Sequence, residues 1–416
     1  MKAVNAEIIA IGDELLYGQI MDTNSHWISQ QLDQIGVRVV RKTTVGDNER
    51  DILEAFMKAE VRADIILITG GLGPTKDDLT KPLMAKYFQC EIVPNEQAIK
   101  DVETFFAKRG RELTPLNKLQ GHLPSKCTYV PNERGTAPGM WFEENGAKWM
   151  SMPGVPHEMK YLMEAFVLPK IKEQFSLPVI YHKVIRTVGI GESWLADLIA
   201  TWEDQLPEHI KLAYLPSLGQ VKLRLTAFGE DHQQLSDEVQ MEVKKVCPLI
   251  KNYIYGYDQD TLEEAVGRLL KSEGKTVSLA ESCTGGYIAH LLTSIPGSSS
   301  YFNGAIVPYH NQFKESLVDV SSQTLRQYGA VSEETVAEMA NGARKRFQSD
   351  YGVASSGIAG PAGGSKDKPV GTVWIAIASA DGLVTRKLQL AYDRQLNIEH
   401  TATAVLNLLR KVIKKQ

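Results

Sequence analysis

Asp64-Ile-Ile-Leu-Ile-Thr69 is a short apolar run that ends directly in the glycines Gly70-Gly71-Leu72-Gly73. A similar run, Ala6–Ile11, ends in Gly12-Asp13-Glu14. Amphipathic helical patterns at residues 23–34 and 49–61 lie between the two runs. Buried strands that alternate with helices at this rhythm predict a parallel sheet with helices on its faces, hence an α/β domain.

Polar residues follow both of these predicted strands, and ligands of parallel sheets bind at the carboxyl ends of strands. Gly12, Asp13 and Glu14 follow the first strand, and Gly70 and Gly71 follow the second. The next residues are Pro74-Thr75-Lys76-Asp77-Asp78, whose two carboxylates would suit a divalent cation held against a diphosphate. The spacing Thr75-x-x-Asp78 is also typical of a helix start, which is the alternative interpretation.

The remaining chain predicts two further domains, which makes the fold class α/β multidomain. We place the first domain at residues 1–168. Residues 169–257, with a linker-like stretch at 170–178 and a strand of period two at 220–228, predict a small α+β middle domain. Residues 258–416 alternate strands and helices again and predict a second α/β domain with some antiparallel strands.

Composition excludes several classes of protein. The 416 residues are 43% apolar and 23% charged, which is ordinary for a globular chain of two to four domains. A net charge of −4 argues against a protein that coats nucleic acid or anionic membrane. The four cysteines form no C-x-x-C unit, which argues against a zinc site and favours a reducing, cytoplasmic compartment. The longest uncharged stretch, 282–313, is rich in Gly, Ser and Pro, so no membrane span is expected.

A candidate catalytic turn, Ala280-Glu281-Ser282-Cys283-Thr284-Gly285-Gly286, lies where a predicted strand becomes a helix. Ser282 is a candidate nucleophile there, and free N–H groups at the turn could hold a phosphate. A desolvated Lys314 could act as base, with Tyr309 relaying the proton. Two alternatives stay open at this point: Ser282 as a helix N-cap only, and Cys283 as the nucleophile, although a lone cysteine is more often a small buried hydrophobe.

A second glycine-rich segment, Ser355-Ser-Gly-Ile-Ala-Gly-Pro-Ala-Gly-Gly364, lies between two predicted strands. Four glycines in so short a loop would let several backbone N–H groups converge on an anion. A mobile surface loop is the alternative.

Three motifs together resemble one family. Residues 280–286, Gly304-Ala-Ile-Val-Pro-Tyr-His-Asn-Gln-Phe-Lys314 and residues 356–364 resemble the nicotinamide mononucleotide amidohydrolase (PncC) domain, and the whole chain resembles the CinA family. The resemblance implies Ser282 as nucleophile, assisted by Tyr309 and Lys314. It also implies a cradle for the mononucleotide, formed by Thr284, Gly285, Gly286, Gly357, Gly360, Pro361, Gly363, Gly364 and Arg394.

The implied reaction is attack of Ser282 on the carboxamide carbon of nicotinamide mononucleotide, loss of ammonia, and hydrolysis of the ester to nicotinate mononucleotide, with no metal. Three positions depart from the family pattern. Pro308 and His310 stand where an alanine and a serine are usual, and Ile398 stands where many members have a second arginine four residues after Arg394.

The first domain resembles the molybdopterin-binding (MoaB/MogA-like) fold in its CinA version. This resemblance implies a metal-dependent ADP-ribose pyrophosphatase that uses cobalt or magnesium, with metal held by Asp77 and Asp78. Residues expected to line the site are Gly12, Asp13, Glu14, Asn24, Gly70, Gly71 and Thr75. Two other possibilities remain: this domain only binds a pterin or nucleotide, or the protein is a non-enzymatic competence or DNA-damage factor.

The middle domain of this family is described as KH-like. No Gly-x-x-Gly loop flanked by basic residues is present in it, so we expect no nucleic-acid partner. The resemblance suggests a homodimer.

Overall fold

The computed structural model describes residues 4–75 and 77–415. The chain divides into two compact units. One runs to Tyr181 and takes in Phe228–His232, and the other consists of His182–Ala227 with the chain from Gln233 onward. Within the described residues, no helix has both the length and the apolar character that crossing a membrane requires.

The first domain is an α/β sandwich built on a six-stranded sheet of order β2-β1-β3-β8-β7-β6. Strands β2, β1, β3 and β8 are parallel, and β7 and β6 are antiparallel additions. Its strands are β1 Asn5–Ile11, β2 Arg38–Val45, β3 Ile65–Thr69, β4 Ile92–Pro94, β5 His122–Pro124, β6 Thr128–Val130, β7 Gly139–Glu144 and β8 Ala147–Met152. Its helices are α1 Asp13–Leu16, α2 Thr23–Gln34, α3 Glu49–Arg62, α4 Thr80–Tyr87, α5 Glu96–Ala107, α6 Pro115–Lys118, α7 Pro156–Leu162 and α8 Leu168–Gln174.

Successive side chains of the central strands point to opposite faces of this sheet and pack into two separate cores. Ile9 of β1 packs in the core that contains Phe56 of α3, whereas Ile8 packs in the core that contains Ile28 of α2. Helix α8 occupies much of the stretch interpreted as a linker, and its Ile171 is fully buried in the second of these cores. That interpretation is wrong because Ile171 is buried in this core and Leu168, Phe175 and Leu177 pack against it, which docks the segment on the first domain.

The middle domain is a four-stranded sheet of order β10-β11-β9-β12 with two helices, as the α+β prediction requires. Its elements are β9 Val179–Val188, α9 Glu192–Glu203, β10 Ile210–Ser217, β11 Gln220–Gly229, α10 His232–Ile250 and β12 Ile254–Tyr257.

The C-terminal domain has a five-stranded sheet of order β14-β13-β15-β16-β17, in which β13 is parallel to β14 and β15 while β16 and β17 are antiparallel. Its strands are β13 Val277–Glu281, β14 Phe302–Ile306, β15 Tyr351–Gly357, β16 Thr372–Ser379 and β17 Gly382–Gln389. Its helices are α11 Leu262–Ser272, α12 Tyr287–Thr293, α13 Asn311–Val318, α14 Ser322–Tyr328, α15 Glu333–Phe347 and α16 Arg394–Ile413.

Residue size alternates between the two faces of this sheet. Large residues such as Leu279 and Ile377 pack with α11, α12 and α16, whereas Ala280 and Ala376 pack with α13 and α15. The small side chains let α15 approach closely, and a Cβ at Gly352 would lie 2.1 Å from the carbonyl oxygen of Ala340.

Helix α16 also joins the C-terminal domain to the middle domain. Its Arg410 is completely buried and donates to the carbonyl oxygens of Asn252 at 2.8 Å and Ile254 at 3.0 Å. Asn407 accepts two further hydrogen bonds from the same guanidinium. Burial lowers the pKa of Arg410, and these carbonyls replace the water that the cation has lost.

Candidate functional sites

The predicted catalytic residues of the C-terminal domain follow strand ends on one edge of its sheet. Ser282 follows β13, Tyr309 and Lys314 follow β14, the glycine-rich segment follows β15, and Arg394 follows β17. Because β17 is antiparallel to β16 and β16 to β15, the end of β17 faces the same edge as the parallel strands. The sheet topology therefore brings these segments together.

Ser282 is 8% exposed and is not a helix cap, because α12 has Gly286 as its N-cap. The N–H of Ser282 donates to the carbonyl of Ser355 at 2.9 Å, which fixes the turn to β15. The N–H groups of Cys283 and Thr284 donate to no backbone carbonyl within the described chain. Two N–H donors next to a serine oxygen are the arrangement that an oxyanion hole needs.

Glu281 takes the place at the helix start where a phosphate was expected. Its carboxylate is 1% exposed and accepts hydrogen bonds from the N–H groups of Gly286 at 3.1 Å, Ile288 at 3.1 Å and Ala289 at 2.8 Å. A buried anion on the first turn satisfies donors that a helix otherwise leaves open. This role of Glu281 was not predicted from the sequence, although Glu281 is the charged residue that directly precedes the uncharged stretch 282–313.

Gly285 and Gly286 adopt positive φ angles of 60° and 97°, which favour glycine. A Cβ at Gly285 would meet no described atom within 4 Å, so the turn faces open space. Behind it, the hydroxyls of Thr284 and Ser355 form a buried hydrogen bond of 2.7 Å. The turn is thus held from its inner side and accessible from its outer side.

Lys314 is 1% exposed, and its Nζ donates to the carbonyl oxygens of Pro308 at 2.8 Å and Tyr309 at 3.2 Å. No carboxylate of the described residues forms an ion pair with it. Burial lowers its pKa. No hydrogen bond in the described chain joins Lys314 or Tyr309 to the Ser282 hydroxyl.

Cys283 is buried, and desolvation raises the pKa of its thiol to about 12. A thiol with this pKa is almost fully protonated at neutral pH, and the protonated form is a poor nucleophile. The electrostatics therefore favour Ser282 over its neighbour.

The Tyr309 side chain is 58% exposed, and its hydroxyl accepts from Arg394 Nη2 at 2.9 Å. Arg394 Nη1 donates to the carbonyl of Gly360 at 2.8 Å, and Asn397 donates to the carbonyl of Ala359 at 3.0 Å. The glycine-rich segment is thus tied to α16 at two points. Within it, Gly360, Pro361, Gly363 and Gly364 follow Gly357, with φ of 92° at Gly360 and 94° at Gly363.

The first domain has a cleft of about 450 Å³ at the carboxyl edge of its sheet. The predicted residues that line it are Gly12, Glu14, Gly70, Gly71, Asp77 and Asp78. Asn24 instead lines a neighbouring pocket of about 90 Å³ together with Glu14 and Gly70. Its Nδ2 donates to Thr69 at 3.0 Å and to the carbonyl of Gly154 at 2.7 Å, and its buried Oδ1 has no partner in the described chain.

Asp78 is occupied by its own loop. It accepts from the N–H of Gly73 at 2.7 Å, the N–H of Thr75 at 2.9 Å and the Thr75 hydroxyl. The helix start that Thr75-x-x-Asp78 predicts is absent, because α4 begins at Thr80. Asp77 is exposed, and its pKa is lowered, with the nearby Thr75 side chain as the largest cause.

Asp47 is a carboxylate of this cleft that the sequence analysis missed. Burial raises its pKa, and so do the negative charges of Asp13, Glu14 and Asp77. Asp47 and Asp13 are also linked reciprocally, because each carboxylate accepts from the other residue's N–H. The sequence pattern could have identified Asp47, since Gly46-Asp47 follows β2 in the same way as Gly12-Asp13 follows β1.

These hard oxygen donors suit a divalent cation, whose charge would relieve the repulsion that raises the pKa of Asp47. Among the residues at 4–75 and 77–415, however, no three His, Cys, Asp or Glu side chains are grouped to hold a metal. The donor set therefore fits a cation that takes one or two protein carboxylates and further oxygens from a phosphate ligand.

Comparison with known proteins covers nearly the whole chain. Three family models match in order: "Probable molybdopterin binding domain" at residues 7–173, "Damage-inducible protein CinA KH domain" at 182–256 and "CinA C-terminal domain" at 259–413.

Among the relatives, a CinA-like protein of Cytophaga hutchinsonii is 51% identical over 99% of both chains. A CinA-like protein of Flavobacterium psychrophilum is 42% identical over 99% of both. A crystal structure described as the protein CinA with unknown function from Thermoplasma acidophilum is 35% identical over 40% of this chain and 96% of its own, with a TM-score of 0.37. With three domain models matched in order and full-length relatives at this identity, the chain belongs to the CinA family.

Proposed function

We propose that the C-terminal domain hydrolyses the carboxamide of nicotinamide mononucleotide, giving nicotinate mononucleotide and ammonia. The observation that carries this proposal is Lys314, a buried lysine with no carboxylate partner in the described chain. A neutral amine has two N–H donors and one lone pair, and the two carbonyls that Nζ contacts match the two donors. The lone pair is then free to accept a proton.

In this mechanism the Ser282 hydroxyl transfers its proton to Lys314 as its oxygen attacks the carboxamide carbon. The N–H groups of Cys283 and Thr284 stabilise the oxyanion of the tetrahedral intermediate, each worth about 10²–10³ in rate. Lys314 returns the proton to the leaving nitrogen, and ammonia departs. Water then attacks the ester carbon as Lys314 takes a proton from it, and Lys314 passes this proton to the Ser282 oxygen as the ester bond breaks and nicotinate mononucleotide leaves.

Arg394 and the glycine-rich segment would hold the phosphate of the substrate. Within the part of the chain that the structure describes, two guanidinium donors of Arg394 have partners, Gly360 and Tyr309, so others remain for an anion. Tyr309 then helps to orient Arg394, besides any part in proton relay.

The test is ammonia release from nicotinamide mononucleotide by the full chain. Ser282→Ala should abolish release, whereas Cys283→Ala should retain it and the exposed-site control Ser272→Ala should match the wild type. Loss of activity in Cys283→Ala with full activity in Ser282→Ala would move the nucleophile to the thiol. No release by the wild type would contradict the proposal.

We also propose that the first domain is a metal-dependent pyrophosphatase acting on ADP-ribose. The carboxylates around the 450 Å³ cleft support a site where a cation meets a diphosphate, with Asp77 and Asp47 as the protein ligands. A bound cation would neutralise negative charge on the diphosphate. Asp78 would act by shaping the loop that carries Asp77.

This second proposal is tested by supplying ADP-ribose with cobalt or magnesium and measuring AMP. We expect AMP formation that Asp77→Asn lowers and that the exposed control Asp319→Asn leaves unchanged. Binding of ADP-ribose without turnover for either metal would instead support the pterin- or nucleotide-binding alternative.

A further inference from the structure

A cavity of about 810 Å³ lies between the middle domain and the C-terminal domain, which belong to the same compact unit. The middle domain contributes the turns at Gly189–Gly191 and Gly219 and the first part of α9, and the C-terminal domain contributes Arg386, Tyr392 and His400. Ser282, Lys314 and the glycine-rich segment do not line it. Its volume is in the range of small-molecule sites.

The walls of this interdomain cavity are held together by close contacts. The N–H of Gly189 donates to the carbonyl of Gly219 at 3.1 Å, which joins the two turns. A Cβ at Gly189 would lie 2.6 Å from Asn407 Nδ2, so the turn is pressed against α16. The buried Arg410 lies about one helical turn after Asn407 on α16 and donates to two carbonyls of the middle domain. The cavity is therefore formed before any ligand binds.

Aromatic side chains and charges of both signs line the cavity. Trp194 is 69% exposed, which is unusual for the largest apolar side chain. Tyr392 stacks on His400 at 5.7 Å between ring centroids. Glu192 and Asp197 supply two carboxylates, and Arg386 supplies a guanidinium.

This combination selects among ligand classes. A purely anionic ligand would meet two carboxylates, and a purely cationic ligand would meet Arg386. An aromatic ligand with a positive ring and a separate anionic group matches every lining charge. Aromatic faces attract cations, carboxylates accept from ribose hydroxyls, and arginine binds phosphate.

We propose that the interdomain cavity is a second nucleotide site, which binds a nucleotide that carries a positively charged pyridinium ring. Trp194 stacks on the ring, Arg386 binds a phosphate, and Glu192 and Asp197 lie near the ring and ribose. This site goes beyond the amidase and pyrophosphatase functions and needs neither of them to be correct.

The cavity is connected to the candidate amidase site through one short segment. The carbonyl of Tyr392 accepts from Asn397 Nδ2 at 2.9 Å, and the same amide donates to the carbonyl of Ala359 in the glycine-rich segment. Arg394 follows Tyr392 by two residues and contacts Gly360. A ligand that moves Tyr392 would therefore change how Arg394 and the glycine-rich segment hold their own ligand.

The test is calorimetric titration of the full chain carrying Ser282→Ala, which removes the proposed nucleophile. The probes are oxidised nicotinamide adenine dinucleotide, whose ring is positive, its reduced form, whose ring is neutral, and AMP. Trp194→Ala and Arg386→Gln should each weaken binding of the oxidised form at least tenfold. The matched control Arg224→Gln, an exposed strand arginine that does not line the cavity, should leave it unchanged.

The reduced form and AMP should each bind at least tenfold more weakly than the oxidised form. Binding of the oxidised form that persists unchanged in both variants would belong to another site and would overturn the proposal, as would the absence of binding. Equal binding of the oxidised and reduced forms would overturn the assignment of a positively charged ring. Both mutated side chains are exposed, and circular dichroism checks that the variants fold.

Discussion

At the carboxyl edge of the six-stranded sheet of the first domain, several carboxylates line an open cleft. At the corresponding edge of the five-stranded sheet of the C-terminal domain, the carboxylate of Glu281 is buried and accepts hydrogen bonds from backbone N–H groups. Both edges use strand ends to gather polar groups. The edge of the first domain brings negative charges close together, and these charges, together with burial, raise the pKa of Asp47. The edge of the C-terminal domain binds its carboxylate with backbone N–H groups, and there it is the amine of Lys314 that is desolvated. The same topology thus prepares one edge for a cation and the other for proton transfer.

The strongest way to break this contrast is to remove the desolvated amine. Lys314→Arg keeps a positive charge but cannot supply a neutral base, because a guanidinium does not lose its proton in proteins. We expect kcat for ammonia release to fall by about 10²–10⁴, the usual worth of positioned acid–base catalysis. Lys345→Arg, at a highly exposed position, is the control. Near-normal turnover by Lys314→Arg would exclude the base role.

Removing the compensated carboxylate should have the next largest effect. Glu281→Ala leaves the N–H groups of Gly286, Ile288 and Ala289 without their acceptor, which should lower the free energy of unfolding by about 1–3 kcal/mol. Because the same turn carries Ser282, we expect kcat to fall about tenfold or more. Denaturant unfolding and ammonia release measure the two effects. Glu281→Asp should restore part of each, and a variant with unchanged stability would contradict the capping role.

The pH profile sharpens the comparison without a mutation. Catalysis requires neutral Lys314, so kcat/KM should fall about tenfold for each pH unit below the pKa of its amine. Burial lowers that pKa, so the midpoint of this limb should lie below the usual 10.5. In the unfolded chain the amine keeps its ordinary pKa and binds more protons, so this group makes stability rise with pH between the two values. A limb centred at the ordinary lysine pKa would argue against desolvation.

The smallest effect should come from neutralising one carboxylate of the first edge. The pKa of Asp47 is raised in the folded protein, so its charge opposes folding more as pH rises through that pKa. Asp47→Asn should therefore stabilise the metal-free protein by about 0.5 kcal/mol at pH 7, a modest value because the group is half-exposed. The gain should vanish in acid, where the wild-type carboxyl is protonated. Thermal unfolding at both pH values checks this, and a loss of stability at pH 7 would contradict it.

The fold was largely predictable because its signals are local. Buried runs such as Ile65–Thr69, and Ser332, whose hydroxyl caps α15, fix strands and helix starts within a few residues. The docking of α8 was not predictable, since it depends on the tertiary core against which Leu168, Ile171 and Phe175 pack.

The positions of the candidate residues after strand ends were predictable from the sequence, but their hydrogen-bond partners were not. The strand ends identified Ser282, Lys314 and the first-domain carboxylates. That Glu281 would occupy the helix start, or that Asp78 would fold back on Gly73, depends on hydrogen bonds between a side chain and a particular backbone conformation. Composition and residue spacing do not determine those hydrogen-bond geometries.

The buried guanidinium of Arg410 has a practical consequence for dissecting this protein. A fragment that begins after residue 257 would lose both carbonyls of the middle domain that solvate it, and would expose this cation on a surface of α16 that the middle domain otherwise covers. Such a fragment should aggregate or unfold more readily than the whole chain. Inactivity of the isolated fragment would then reflect the loss of the middle domain rather than the absence of catalytic residues.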